Sequence, residues 1–280
     1  MARQIAVVLA VVLAGWSLPG RADPCAQLAG DKRGLAEKIF RSTHPYDCCD
    51  ETLDRCLKQK KVCRLATRLR DEICKRIAVG HDENRIKTAL ERRARSMLPG
   101  KRVGIDLSGS EPAGEAKAKV VVVVYACTRC PYCAQVVPEL HRLVTSSSLK
   151  GKVALYLKPF PISDHAGSKE GGLALQAAAR NKKFWPYALK LYGEFKRFEV
   201  SKLPEWAAQL GLDREAFKRE MASPQAVQRL VDSKREGIRN GVEQTPTIFL
   251  DGRKYQGELG REVLPDILEE EVDRAAGRQY

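Results

Sequence analysis

Cys130 and Cys133 stand three residues apart around Pro131 and Tyr132 and follow the apolar run Val120–Tyr125. Cysteines at this spacing at a helix start have Cα atoms near the roughly 5.5 Å that a disulfide favours, so the pair can close or open a small ring. Pro131 suits the first helical position, where a missing N–H costs nothing. Cys130 then falls at the cap, where unpaired backbone N–H groups and the helix dipole lower a thiol pKa and populate the attacking thiolate. Roughly 110 residues later comes Gln244-Thr245-Pro246-Thr247-Ile248-Phe249, a Thr-Pro ahead of a second apolar run. Thiol–disulfide exchange at Cys130 and Cys133 is the chemistry these features support best.

A third cysteine, Cys127, makes the segment Cys-x-x-Cys-x-x-Cys. An iron–sulfur site needs a fourth cysteine nearby and a c-type haem needs a histidine after the pair. Neither is present, so no metal and no cofactor are expected. Cys127 reads as a small residue filling a strand end, or as an auxiliary thiol that can exchange partners with Cys130. His165 reads as a surface or helix-cap residue.

The other six cysteines, Cys25, Cys48, Cys49, Cys56, Cys63 and Cys74, all precede residue 100. Arg3, the apolar core Ile5–Ala14 and the small residues around Ala22 form a secretory signal, with cleavage expected after Ala22. Ten apolar residues are too few to span a bilayer, which takes about 20. Export to the periplasm or beyond permits structural disulfides, and the six cysteines are candidates for them. Cys49, Cys56 and Cys63 are spaced by seven, about 10 Å along a continuous helix, so the chain must fold back before any two can bond. A hairpin turning near Lys58–Lys61 favours Cys56 with Cys63, and Cys48 or Cys49 with Cys74.

The formal net charge of +14 is spread over both halves. Lys58-Gln59-Lys60-Lys61 is short and lacks interleaved aromatics, so no nucleic-acid partner is expected.

Positioning elements follow from periodicity. Leu65, Leu69, Ile73 and Ile77 recur at helical spacing, as do Ile86, Leu90 and Ala94, and Pro99-Gly100 ends the pattern. The expected organisation is a signal peptide at 1–22, a helical cysteine-rich module at 23–98, a linker at 99–119 with a short strand near Val103–Leu107, and an α/β domain at 120–277. Within that domain the pattern gives strand, helix from Pro131 to about Ser146, strand Val153–Leu157, a helical section from about His165 to Arg239, strand Thr247–Leu250, a turn at Asp251-Gly252, a strand near Lys254–Gln256 and a helix from Arg261 to about Arg274.

Taken in order, the Cys130–Cys133 motif, Lys158-Pro159-Phe160-Pro161, Phe184-Trp185-Pro186-Tyr187, Leu210-Gly211-Leu212-Asp213 and Gly241–Thr247 resemble the DsbA-like thiol–disulfide oxidoreductases of the thioredoxin superfamily over about residues 103–277. The resemblance implies a thioredoxin fold with a helical insertion, preceded here by the small all-α cysteine-rich module. It also implies Cys130 as the exposed attacking cysteine and Cys133 as the buried resolving one. Pro246 becomes a cis-proline, with Thr245 offering backbone groups to substrate and with Pro131 and Tyr132 in support. Departures are the aliphatic Val124 where relatives often carry an acid, Cys127 where they commonly carry Asp, and Tyr132 in place of histidine. Arg129 is a candidate to offset that last loss. Leu65-Ala66, Leu69-Arg70, Ile73, Ile77, Gly80, Asp82, Ile86, Leu90 and Arg93 are similar to the helical CcmH-type module of cytochrome c maturation, though without that family's close cysteine pair.

The expected function is that of an exported oxidoreductase that forms or exchanges disulfides in secreted proteins. Its partners would be cysteine-containing exported substrates and a membrane or soluble redox protein that recycles it. A reductase or isomerase serving cytochrome c maturation, and a metal-binding or structural adaptor, are the alternatives.

Overall fold

A computed structural model describes residues 23–278; the expected signal segment 1–22 lies outside the described residues. The front of the chain is all helix: α1 (Asp31–Ser42), the single turn α2 (Leu53–Cys56), α3 (Arg64–Ala78) and α4 (Glu83–Met97). Asp82 caps α4 by accepting the Arg85 N–H at 2.8 Å, as an acidic residue at that position should. The predicted stripe Leu65, Leu69, Ile73 and Ile77 is buried against Ile39, Leu53, Ile86 and Leu90.

Three disulfides staple this module: Cys25–Cys74, Cys48–Cys63 and Cys49–Cys56. The pairing differs from the expected one, in which Cys56 joined Cys63. Residues 43–52 are not helical, so adjacent Cys48 and Cys49 reach separately for the two cysteines on either side of the 57–62 loop. Cys74 is thereby left for Cys25, whose sulfur lies against α3, 3.7 Å from the Arg70 carbonyl oxygen.

The second part is built on a five-stranded sheet. In chain order it runs β1 (Ala113–Gly114), β2 (Val120–Ala126), α5 (Pro131–Ser146), β3 (Val153–Pro159), then α6 (Ser168–Arg180), α7 (Phe184–Gly193), α8 (Leu203–Ala208), α9 (Arg214–Met221) and α10 (Pro224–Arg239), and closes with β4 (Thr247–Leu250), β5 (Arg253–Tyr255) and α11 (Leu264–Ala275). The strand order is β1-β3-β2-β4-β5, with β2 and β3 parallel and the other pairs antiparallel. β2 is central, and its valine run suits a strand covered on both faces. Val122, Val124 and Ala126 face the larger core with α5, α7 and α11, while Val123 and Tyr125 face a smaller one with Phe160, Val242 and Phe249. This is the expected thioredoxin fold with α6–α10 as the helical insertion.

The strand expected near Val103–Leu107 does not form. Val103 makes one backbone bond, to the Gly252 carbonyl oxygen at 2.9 Å, while the Asp106 N–H goes to a Glu236 carboxylate oxygen at 2.6 Å. The segment has no regular structure, and Val103, Ile105 and Leu107 pack on the smaller core. Ala113–Gly114 supplies the edge strand instead, paired to β3.

The two parts are joined by buried charge. On α11, Asp266, Glu269, Glu270 and Asp273 stand at i, i+3, i+4 and i+7, hence on one face. Arg93 of α4, 2 % exposed, reaches Asp266 and Glu270 at 2.6 Å each, and Glu72 of α3 at the same distance. Arg68 spans Asp266, Glu269 and Asp273, and the Tyr46 hydroxyl donates to Glu270 at 2.6 Å. Burial alone would raise the Asp266 pKa, but Arg93 and Arg68 together outweigh it and hold the carboxyl below its ordinary value.

Candidate active site

The site begins where β2 ends. Cys127, Thr128, Arg129 and Cys130 form a turn closed by the Cys130 N–H to the Cys127 carbonyl oxygen at 3.2 Å. Cys130 is the N-cap of α5 and Pro131 its first residue. Thr128 is buried and donates to the Ser168 carbonyl oxygen at 3.3 Å, with Gly171 of α6 pressed against its side chain. A Cβ at Gly171 would collide with Thr128, so that glycine sets how closely the insertion approaches the cysteine turn.

Cys130 is 4 % exposed rather than the open thiol implied by the resemblance, and Cys133 is fully buried. The reason is a cover. The Cys130 thiol lies 3.2 Å from the Thr245 carbonyl oxygen, and the Thr245–Pro246 bond is cis. Between the two cysteines Pro131 and Tyr132 project, Tyr132 at 69 % exposed. Beside it a groove of about 430 Å³ runs past Gln135, Thr245, Pro246, Leu259 and Arg261.

Cys130 makes no capping hydrogen bond of its own to the helix. Its pKa nevertheless falls to about 5, chiefly because the Cys133 thiol donates to it, with further help from the Cys133 N–H, Thr245 and the Tyr132 N–H against the opposing effect of burial. Burial and the neighbouring Cys130 push the Cys133 thiol far up. The arrangement therefore makes one thiolate and holds the other sulfur as a thiol.

Arg129 does not stand in for the missing histidine. Its guanidinium lies 4.3 Å from the Phe198 ring centroid and 5.1 Å from that of Phe195, and it donates to the Phe195 carbonyl oxygen at 3.0 Å. It ties the turn to the insertion, and the Cys133 thiol takes over the electrostatic role. Val124 is fully buried, so this β2 position holds aliphatic side chain where relatives often carry an acid.

His165 is not the cap of α6, which is Gly167, and it is only partly at the surface. It is half-buried with Nδ1 3.3 Å from the sulfur of Cys127, which also accepts the Arg129 N–H at 3.4 Å. Burial raises the Cys127 pKa. Sequence reasoning missed Tyr192 of α7: its hydroxyl is buried with no partner among the described residues, and burial followed by the three nearby sulfurs raises its pKa. Nothing local marks Tyr192, which reaches the sulfurs only through the packing of α7 on α5.

The sequence model of the family described as thioredoxin matches residues 109–270. The chain belongs to this thioredoxin family. Among solved structures it is similar to a thioredoxin-like oxidoreductase from Silicibacter pomeroyi DSS-3, at 24% identity and a TM-score of 0.51, over 60% of this chain and 93% of that one. It is also similar to BdbD from Bacillus subtilis in its oxidised form, at 18% identity and a TM-score of 0.52, over 64% of this chain and 99% of that one. Both likenesses speak to the fold, and the DsbA-like architecture expected from the sequence is the one this thioredoxin-family chain has. A Na(+)/H(+) antiporter NhaA 3 of Salinispora tropica is 28% identical over 185 residues, 64% of this chain. The chain spans only 28% of that antiporter's length. The family match starts at residue 109, so it leaves the disulfide-stapled module to be read from its own structure.

Proposed function

We propose that the protein is an exported thiol–disulfide oxidoreductase in which Cys130 attacks and Cys133 resolves, forming or exchanging disulfides in cysteine-containing exported proteins. The observation that carries this reading is the Cys130 sulfur held 3.2 Å from the Thr245 carbonyl oxygen beside cis-Pro246, with Cys133 buried behind it. An extended substrate entering along the groove at Tyr132 and Arg261 would meet Thr245 and Pro246, and the Thr245 carbonyl oxygen lies 3.2 Å from the Cys130 sulfur.

The step is attack of a thiolate on a disulfide sulfur, giving a mixed disulfide that the second cysteine resolves, and it needs no diffusible cofactor. Oxidation of substrates is the favoured direction, because a stabilised Cys130 thiolate favours the reduced enzyme and so makes its disulfide a better oxidant. Three disulfides in the front module support action outside the cytosol, as does the signal pattern in the first 22 residues. Among the described residues no helix is long and apolar enough to cross a membrane. Residues 120–277 form the catalytic domain in this reading, recycled by a separate redox protein.

Oxidised protein incubated with reduced, denatured ribonuclease A tests the proposal. Recovery of ribonuclease activity that is lost in Cys130→Ser supports it; equal recovery with the variant refutes it.

A further inference from the structure

Cys127 is the nucleophilic group that the two-cysteine reaction leaves unused. Cys127 and Cys130 are the first and last residues of a hydrogen-bonded turn, so their Cα atoms lie within the roughly 7 Å that defines such a turn, overlapping the range a disulfide spans. Cys130 and Cys133 have the same spacing in the first turn of α5. Cys130 thus has a possible partner on each side.

Cys127 is also equipped. Its sulfur touches the His165 imidazole at 3.3 Å and accepts the Arg129 N–H at 3.4 Å, so both a proton acceptor and a donor to the thiolate are in place. All three cysteines belong to one core cluster with Tyr192, whose buried hydroxyl has no partner among the described residues. The other six cysteines are bonded and cannot compete.

We propose that Cys127 is a second resolving thiol, which releases a substrate from its mixed disulfide with Cys130 by forming a Cys127–Cys130 disulfide. This rests on the oxidoreductase reading above. His165 Nδ1 takes the Cys127 proton, and the thiolate attacks the Cys130 sulfur. The Cys127–Cys130 bond forms as the bond from Cys130 to the substrate sulfur breaks. The electron pair leaves with that sulfur, which takes up the proton. Subsequent attack by Cys133 on Cys130 breaks the Cys127–Cys130 bond, whose electron pair leaves on the Cys127 sulfur; that sulfur takes up the proton Cys133 gives up, and the Cys130–Cys133 disulfide is restored with no added oxidant. It gives the enzyme an exit from complexes that Cys133 fails to resolve.

The test uses full-length reduced Cys133→Ala treated with glutathione disulfide, which places glutathione on Cys130, followed by mass spectrometry. The single variant should shed glutathione and gain a linked peptide pair, since cleavage after Arg129 separates Cys127 from Cys130. Cys127→Ala/Cys133→Ala should hold the adduct about tenfold longer or more, as expected when the internal thiol is removed. His165→Ala in the Cys133→Ala background should slow release towards the double-variant rate. Equal adduct lifetimes with no Cys127–Cys130 peptide would overturn the third-thiol inference and leave the oxidoreductase reading standing. A Cys130 that takes no adduct at all would overturn both. A linked Cys127 peptide in stoichiometrically oxidised wild-type protein provides the check independent of any substitution.

Discussion

The Cys130 sulfur and the Thr245 carbonyl oxygen are 115 residues apart in sequence and 3.2 Å apart in space. Antiparallel pairing of β4 with β2 produces the approach, setting Thr247 opposite Tyr125 and carrying the preceding Thr245–Pro246 over the start of α5. A thiol at an ordinary helix start would be open to solvent. Here that side is covered by the Thr245 backbone.

Alkylation should report this asymmetry directly. With its pKa near 5, Cys130 in the reduced protein is thiolate at pH 6, whereas Cys133 and Cys127, both shifted upward, remain thiols. Iodoacetamide at pH 6 should label Cys130 first, with a rate that falls as pH drops through about 5. Equal labelling of Cys130 and Cys133, or a midpoint near the ordinary thiol value of 9, would remove the nucleophile assignment.

Stability should depend on pH in the reduced protein in a way the oxidised protein does not share. The Cys130 pKa is lowered from about 9 to about 5, so its contribution is full above pH 9, declines as pH falls, and is lost below about 5. The oxidised protein has no such thiolate. Urea midpoints of the two forms should therefore shift against the reduced form between pH 9 and pH 5, and a constant gap would contradict the assigned shift.

Much of this was legible in the residues. The valine run predicts β2, Pro131 predicts the start of α5, and Asp251-Gly252 predicts the β4–β5 turn, where both residues adopt positive φ, 47° and 81°. Local patterns sufficed because each states a local requirement: apolar cover, a missing donor, a left-handed backbone. What escaped depends on distant chain. The burial of Cys130 needs Thr245, the His165 contact needs the loop after β3, and the module's disulfides need the irregular path of residues 43–52. The acidic stripe of α11 and its partners Arg93 and Arg68 also went unread, because the pairing joins segments 173 and 198 residues apart in sequence.

Arg93 gives a prediction about the joint between the module and the sheet domain. Replacing it with methionine would leave Glu72, Asp266 and Glu270 without their shared cation in a buried site. Breaking one side of such a network costs about 3–5 kcal/mol. Arg93→Met should lower the denaturant midpoint accordingly, and Tyr46→Phe, which removes the hydroxyl's hydrogen bond to the Glu270 carboxylate and the one it accepts from Arg93, should cost about 1.5–3 kcal/mol because these partners are charged. A loss below about 1 kcal/mol for Arg93→Met would show that the network relaxes without it.

Graded reduction should separate the two sets of cysteines. In the front module Cys56, Cys63 and Cys74 are buried in its core, each bonded to a partner nearer the surface. That core is small, so each bridge can contribute about 2–5 kcal/mol and opening one exposes apolar surface. At Cys130–Cys133 the balance is reversed, because reduction creates a thiolate that the site stabilises. Stabilising the reduced form raises the potential. Peptide mapping across a dithiothreitol series should therefore find Cys130–Cys133 open while Cys25–Cys74, Cys48–Cys63 and Cys49–Cys56 remain closed. Simultaneous opening of all four would mean that the module exchanges electrons with the active site, and its bridges would then belong to the redox path rather than to the scaffold.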